Sequence, residues 1–301
     1  MKAMKDDSKA KSAHTYEILS LFPYMDSDSC IVTPFINEED DSRYSVFHVM
    51  SPSGDFVLKP AKEYEKEVYE TFFRGGRPYA PKLYGSAEKD GTAWLLMEYV
   101  QGDDLRCCER ESLIKVLDAL ISMQDEYWEK AEYYSAAYSL EKSLPGREKR
   151  GRYLGSSVFE KIYSEYMDEY RRLHLTLCHD DLLPFNVIAG NERAVLIDWE
   201  YAGMLPYPTS LARLIAHGRE EKDAFFHMTQ EDRSFAIDYY YNGLVQKHGI
   251  PYEDYRHTVD LFLFYEYCEW IMVANENKEY NEDYYQYSLK LAHDMAQKLN
   301  L

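Results

Sequence analysis

Residues 178–189 read CHDDLLPFNVIA, a stretch that sets His179, Asp180, Asp181 and Asn186 inside an otherwise apolar run. An ionised carboxylate in such a setting is costly unless it is paired or holds a metal. The stretch therefore calls for chemistry or for internal partners. Twelve residues past Asn186 comes VLIDWEYAG (195–203), an apolar strand pattern that ends in another carboxylate, Asp198.

The totals bound what these residues can serve. A chain of 301 residues with 46% hydrophobic content builds a globular core of one large domain or two lobes. Tyrosine is abundant, at 29 residues, most of them expected as half-buried packing contacts. A net charge of −19 argues against a nucleic-acid or anionic-membrane partner and permits a cationic one. The five cysteines form no C-x-x-C pair, which suits a reducing, cytoplasmic setting better than a disulfide framework or a zinc site. The first fifteen residues hold no apolar stretch of a signal peptide. No run approaches the roughly 18 apolar residues of a membrane span.

Along the chain, SCIVTPFI (29–36), RYSVFHVM (43–50) and DFVLKP (55–60) predict a strand meander broken by polar turns. A helix follows over 61–74, with Tyr64, Val68 and Phe72 at four-residue spacing and Gly75-Gly76 as its stop. PKLYGSAE (81–88) and AWLLMEYV (93–100) predict two more strands. Beyond Gly102 the pattern turns helical, near 111–135, 156–174, 231–248, 252–275 and 281–299, with short strands and loops over 177–205. The order predicts an α+β chain: a tail and leading helix over 1–28, a small antiparallel sheet lobe with one helix over 29–101, and a larger, mostly helical lobe over 102–301. Clefts at such joins are the usual ligand sites.

The spacing within HDDLLPFN is the H-x-D-x-x-x-x-N arrangement of kinase catalytic loops. One carboxylate must take the proton of the acceptor hydroxyl, and Asp181 fits. A side-chain amide on the same loop must face a magnesium ion on the phosphates, and Asn186 fits. Asp198 supplies a second magnesium ligand. His179 has no second His or Cys nearby, so it is read as orienting the loop by hydrogen bonding. Lys59, at the end of a strand before a helix, is read as the phosphate-binding lysine. Glu63, Glu65, Glu67 and Glu70 compete to pair with it; Glu67 is preferred and Glu63 is second. WLLMEYVQGDDL (94–105) suits a strand leading to a hinge, with backbone groups of Glu98 and Val100 reading adenine and Met97 lining the pocket.

These motifs, in this order over residues 29–215, resemble the aminoglycoside phosphotransferase and choline kinase superfamily, which has a protein-kinase-like two-lobe fold. CHDDLLPFNVI followed by LIDWEYAGM is similar to its choline and ethanolamine kinase branch. The resemblance implies Asp181 as catalytic base, Asn186 and Asp198 as magnesium ligands, and Lys59 on the α- and β-phosphates of ATP. Three departures stand out. The loop INEEDDSRYS carries four acids and none of the glycines with which kinases approach phosphate, leaving Ser42 and nearby amides for that contact. Ser210 stands where relatives often carry a loop-bracing Asp. Asp180 stands where protein kinases carry an arginine, so no activation-loop phosphate switch is expected.

Without A-P-E and H-R-D features, a small-molecule acceptor is expected rather than a protein. Asp180, Asp181, Asp198 and Glu200 concentrate negative charge, which favours a cationic acceptor. In the helical run 257–275, Leu261, Phe264, Tyr265, Cys268 and Met272 form a core stripe. Phe262, Glu266, Glu269 and Trp270 form a second face, where acid beside tryptophan suits an ammonium group. The expected activity is transfer of the γ-phosphoryl group of ATP, with Mg2+, to a hydroxyl of an amine-bearing molecule such as choline or ethanolamine. An aminoglycoside or related antibiotic is the second enzymatic reading. A kinase-like binding or spore-coat-type protein without turnover is the rival of another class. The sequence leaves the oligomeric state open.

Overall fold

The computed structural model of the protein describes residues 14–36, 42–134, 138–278 and 281–299. Its contacts divide the chain into Met1–Gln101 and Gly102–Leu301. Of the acidic loop singled out above, residues 37–41 lie outside the described residues, as do residues 1–13 of the tail.

In the first unit a helical stretch, α1 (14–19), precedes the strands β1 (Ile31–Ile36), β2 (Arg43–Ser51) and β3 (Gly54–Pro60). Helix α2 (Glu65–Phe72) and strands β4 (Leu83–Lys89) and β5 (Thr92–Glu98) follow. All pairings are antiparallel, in the order β1-β2-β3-β5-β4. Val49, Phe56, Leu58, Trp94 and Leu96 point from one face of this sheet into a core with Ile18, Leu19 and Phe22. Successive strand residues face opposite ways. Leu58 thus enters that core while Lys59 turns to the other face, where α2 meets it.

The second unit is mostly helical. Helices α3 (Arg110–Tyr127) and α5 (Ser157–Arg172) fall near expected stretches, but α4 (Leu140–Arg150) and α6 (Pro208–Ala216) do not. α4 carries Pro145 in its interior, and the Leu-Pro-Gly text reads as a break. Tertiary contacts hold it instead: Arg147 is buried, with its guanidinium 4.6 Å from the ring centres of both Tyr170 and Tyr265. The single helix expected over 231–248 is α7 (Gln230–Tyr240) followed by a π-helical turn, Tyr241–Val245, and a 3-10 turn. Gly243 lies in that turn, where an added Cβ would come within 2.7 Å of Ile121. Gly249, in the left-handed region at φ 76°, ends the segment ahead of α8 (Tyr252–Asn277), and α9 (Glu282–Leu299) closes the chain. α8 is buried along most of its length and packs on α5, α6 and α9. Among the described residues no helix is long and apolar enough to cross a membrane.

The short strands of this unit place the polar loop. β6 (Tyr138–Ser139), β10 (Ala202–Pro206) and β7 (Leu175–His179) form one sheet, with His179 opposite Ala202. β8 (Val187–Ala189) and β9 (Ala194–Leu196) form a hairpin that pairs Val187 with Leu196. Residues 180–186 join β7 to β8, and Asp198 follows β9. The opening stretch is thus fixed at both ends by apolar strands: Leu177, Cys178, Val187, Val195 and Leu196 are fully buried.

Gly203 is where β10 meets β6, and a Cβ built there would sit 1.7 Å from the carbonyl oxygen of Tyr138. Backbone cannot yield as a flexible side chain does. Gly203→Ala should therefore cost about 2–4 kcal/mol of stability, read as a lower urea midpoint. An unchanged midpoint would contradict this packing.

Candidate active site

His179 organises the loop. Its ring is fully buried, which pushes its pKa below the ordinary histidine value and keeps it neutral. Its Nε2 lies 2.8 Å from the Ile197 carbonyl, an acceptor, so Nε2 carries the proton. Nδ1 then accepts the Asp181 amide at 3.3 Å. The His179 amide donates to the Ser210 hydroxyl at 2.9 Å. Ser210 thus braces the loop through its hydroxyl. The neutral imidazole ties the Asp181 backbone to the residue beside Asp198.

Asn186 is 4% exposed, and its Nδ2 donates to the Asp181 carbonyl at 2.7 Å. With its nitrogen committed, the amide presents its oxygen, the atom a hard cation takes. Asp198 sits in the left-handed region at φ 63° and ψ 58°, ahead of the turn Trp199–Tyr201. Asp tolerates that conformation better than most residues, but such backbone costs about 1–3 kcal/mol and is concentrated at functional sites. A carboxylate and an amide oxygen are the donor chemistry that Mg2+ requires, so these residues fit the ion.

The acids expected to face a substrate mostly have internal partners. Asp180 accepts from Arg147 at 2.5 Å and from the Tyr138 hydroxyl at 3.0 Å. Burial pushes its carboxyl upward, and Arg147 opposes that push. Glu266 is 3% exposed and pairs with Arg213 at 3.0 Å. Glu269 pairs with Arg150 at 2.9 Å and also with Arg213. Burial alone would raise the Glu269 carboxyl, but Arg213 and Arg150 hold it down to about 2. One expectation is corrected here: Glu266 is not open to an ammonium group. A carboxylate so buried needs a cation of its own. The Trp270 ring is 45% exposed and stacks on Tyr284 of α9, with centroids 5.8 Å apart. Glu200 is half-buried, one residue past Trp199.

Asp181 keeps the most open position of the charged groups in the loop, with 29% side-chain exposure. Arg213 reaches its Oδ1 through Nη2 at 2.8 Å and Nε at 3.3 Å. Arg213, Arg147 and Tyr138 were not singled out in the sequence. The signal available for Arg213 is the one that marks the opening stretch, a lone charge in an apolar run, LPYPTSLARLIA.

In the first unit Lys59 is 8% exposed and pairs with Glu65, which is fully buried, at 2.9 Å. The preferred Glu67 is corrected to Glu65. α2 begins at Glu65, so Glu65 faces inward, whereas Glu67, two positions and about 200° later, is on the exposed side. The second choice, Glu63, precedes the helix at φ 39° and is exposed. Met97 is 4% exposed and belongs to the sheet core. The Glu98 amide is committed to the Lys82 carbonyl at 2.8 Å. Val100 is half-buried just past β5, and Ser42 is exposed just before β2.

Comparison with known proteins gives the family and the fold. The model of the phosphotransferase enzyme family matches residues 37–241, more than half of the chain. Protein LicA of Haemophilus influenzae is 22% identical over 129 residues, 43% of this chain and 45% of that protein. The chain thus matches less than half the length of that relative. Among solved structures, a choline kinase of Cryptosporidium parvum superposes with a TM-score of 0.60 at 14% identity, covering 97% of this chain and 95% of that one. An amicoumacin kinase in complex with AMP-PNP, Ca2+ and Ami gives a TM-score of 0.61 at 14% identity, covering 97% and 96%. An aminoglycoside-3'-phosphotransferase of type VIII gives 0.50 at 18% identity, covering 78% and 94%. These likenesses show the kinase-like α+β fold.

Two outcomes follow from the pairings. Glu65→Ala leaves buried Lys59 without its carboxylate and should cost about 3 kcal/mol, while Glu67→Ala should stay within about 0.5 kcal/mol; equal urea midpoints would refute the assignment. The second concerns acid. Unfolded, His179 takes a proton near 6.5 and Glu269 near 4.5, whereas folded, each does so only at lower pH, Glu269 at about 2. The unfolded chain therefore binds more protons in both windows, and stability falls with pH. Urea unfolding should show full stability above pH 6.5, a first loss below it, and a second of about 2–3 kcal/mol between pH 4.5 and 2. Glu269→Gln should be less stable at neutral pH and should lack the second step.

Proposed function

The chain belongs to the phosphotransferase enzyme family, and on that premise we propose that it transfers the γ-phosphoryl group of ATP to a hydroxyl of a small amine-bearing acceptor of the choline or ethanolamine kind. The observation that carries this reading is the joint placement of Asp181, Asn186 and the strand end before Asp198 by one neutral histidine and one amide. Arg213 holds Oδ1 of Asp181, and among the described contacts Oδ2 has no partner. Oδ2 is the atom that receives the acceptor proton. The freed oxygen then bonds to the γ-phosphorus as the bond to the β-phosphate oxygen breaks, and ADP leaves. Lys59, braced by Glu65, holds the α- and β-phosphates. Asn186 and Asp198 hold Mg2+, which when bound offsets the charge of the phosphate oxygens. Adenine contact falls to the Glu98 carbonyl and Val100, and Ser42 is the phosphate contact of the loop before β2.

The amine in the acceptor rests on charge. Asp180, Asp181, Asp198, Glu200, Glu266 and Glu269 surround or adjoin the loop, while Arg147, Arg150 and Arg213 are the guanidiniums bonded into this group. Six carboxylates stand against three guanidiniums in this group, so its formal charge is negative. A unit charge about 4 Å from one of these carboxylates gains roughly 4 kcal/mol at an effective dielectric near 20. Desolvation offsets part of that gain.

Asp181→Asn should leave the fold intact and lower kcat by roughly 10²- to 10⁴-fold, the usual worth of a general base. Turnover near that of the parent protein would remove Asp181 from the mechanism. ADP release with ATP and Mg2+ should rise with choline or ethanolamine and not with a neutral carbon isostere. A response only to aminoglycosides would move the acceptor to the antibiotics, and a response to none would refute an amine-bearing acceptor.

A further inference from the structure

We propose that Arg213 is the positioning residue of this phosphoryl transfer, fixing Asp181 by one carboxylate oxygen so that the other meets the acceptor, and that Glu266 and Glu269 exist to hold that guanidinium. The inference rests on the role of Asp181 as base.

Arg213 lies on α6, in a helix that is otherwise buried and apolar apart from Thr209 and Ser210. Its side chain is 14% exposed. The guanidinium is shared between two sides. Nε and Nη2 converge on Oδ1 of Asp181, at 3.3 and 2.8 Å. Nη1 turns the other way, to Glu266 at 3.0 Å, to Glu269, and to His217 Nε2 at 3.3 Å. The ligand atoms of His217, Glu266 and Glu269 lie within 4.8 Å of one another, the spacing of a cation seat. Arg213 Nη1 fills that seat. The two acids are therefore matched internally and offer no ammonium site.

This arrangement limits how Asp181 can move. A carboxylate on a loop turns about its terminal torsion with little resistance. Two donors of one planar group, itself held by two buried acids of α8, oppose that rotation. Arg150 holds Glu269 from behind, at 2.9 Å, so the chain of contacts continues into α4. Lysine offers a single ammonium and cannot span both sides with a fixed fork. In a reaction whose catalysis is mostly positioning and electrostatics, a misplaced base is costly even when its charge is kept.

The test is ADP release from ATP and Mg2+, measured with choline present and with water alone as acceptor. Arg213→Lys keeps a cation against Glu266 and Glu269 and so protects folding, while Arg213→Ala opens the seat. Arg213→Lys should lower kcat by roughly 10- to 100-fold with the KM for ATP changed less than about twofold. Millimolar guanidinium should restore part of the activity of Arg213→Ala. In an Asp181→Asn background neither substitution should lower kcat further, because Arg213 acts through Asp181. A kcat for Arg213→Lys within about twofold of the parent overturns the proposal. So do losses that multiply in the Asp181→Asn background, which would mark a merely structural arginine. If Asp181→Asn itself leaves kcat unchanged, the base assignment fails first and this inference fails with it. A large effect of Asp181→Asn with none of Arg213→Lys isolates the failure to Arg213.

Discussion

One guanidinium sets the terms for the rest of the second unit. Arg213 bonds Asp181 of the loop after β7, Glu266 and Glu269, and so joins the loop, α6 and α8. Charges removed from water at this depth survive only when matched, and a broken match typically costs several kcal/mol. The burial of α8 therefore depends on α6 delivering an arginine to it, and the direction of Asp181 depends on α8 holding that arginine in place. Arg147 and Asp180 repeat the same economy one residue earlier in the loop, with Tyr138 as a second donor. His179 supplies the complementary constraint on the backbone, and it does so only while neutral, because Nδ1 must accept.

What the sequence disclosed follows from what each signal measures. CHDDLLPFNVIA disclosed the loop because several polar groups at fixed spacing in an apolar run leave little else to read. Strands were legible where an alternating or short apolar run stood between polar turns, as in β3 and β5. α6 was not, since Pro-Tyr-Pro reads as a stop, although Pro208 in fact starts the helix. α4 was hidden by Pro145, and its anchor, the stacking of Arg147 on two tyrosines, has no local signature. Glu65 and Glu67 differ only in phase on a short helix, and the phase depends on a first residue that spacing cannot fix. Glu266 and Glu269 were recognised as a paired acidic face, but their partner lies more than fifty residues earlier, and no periodicity links the two.

The internal pairing also changes what the strong negative charge of the chain implies. Much of the acid near the loop serves the protein's own arginines. Asp180, Glu266 and Glu269 are all committed in this way. Ser210 fits this balance: its hydroxyl accepts the His179 amide without bringing a further negative charge into the cluster.

The sharing of Arg213 among three acids has a historical consequence. A descendant of this chain that abandoned turnover could drift at Asp181 only toward side chains that still accept from Arg213, as Asn does, because one without an acceptor leaves part of a buried cation unmatched. Nor could it shed Arg213 and keep Glu266 and Glu269. Loss of activity in this lineage would be written as correlated changes on the loop, α6 and α8 together. A lone change that removed the guanidinium or its acceptors would be held back by the requirement to fold, even after the requirement to catalyse had gone.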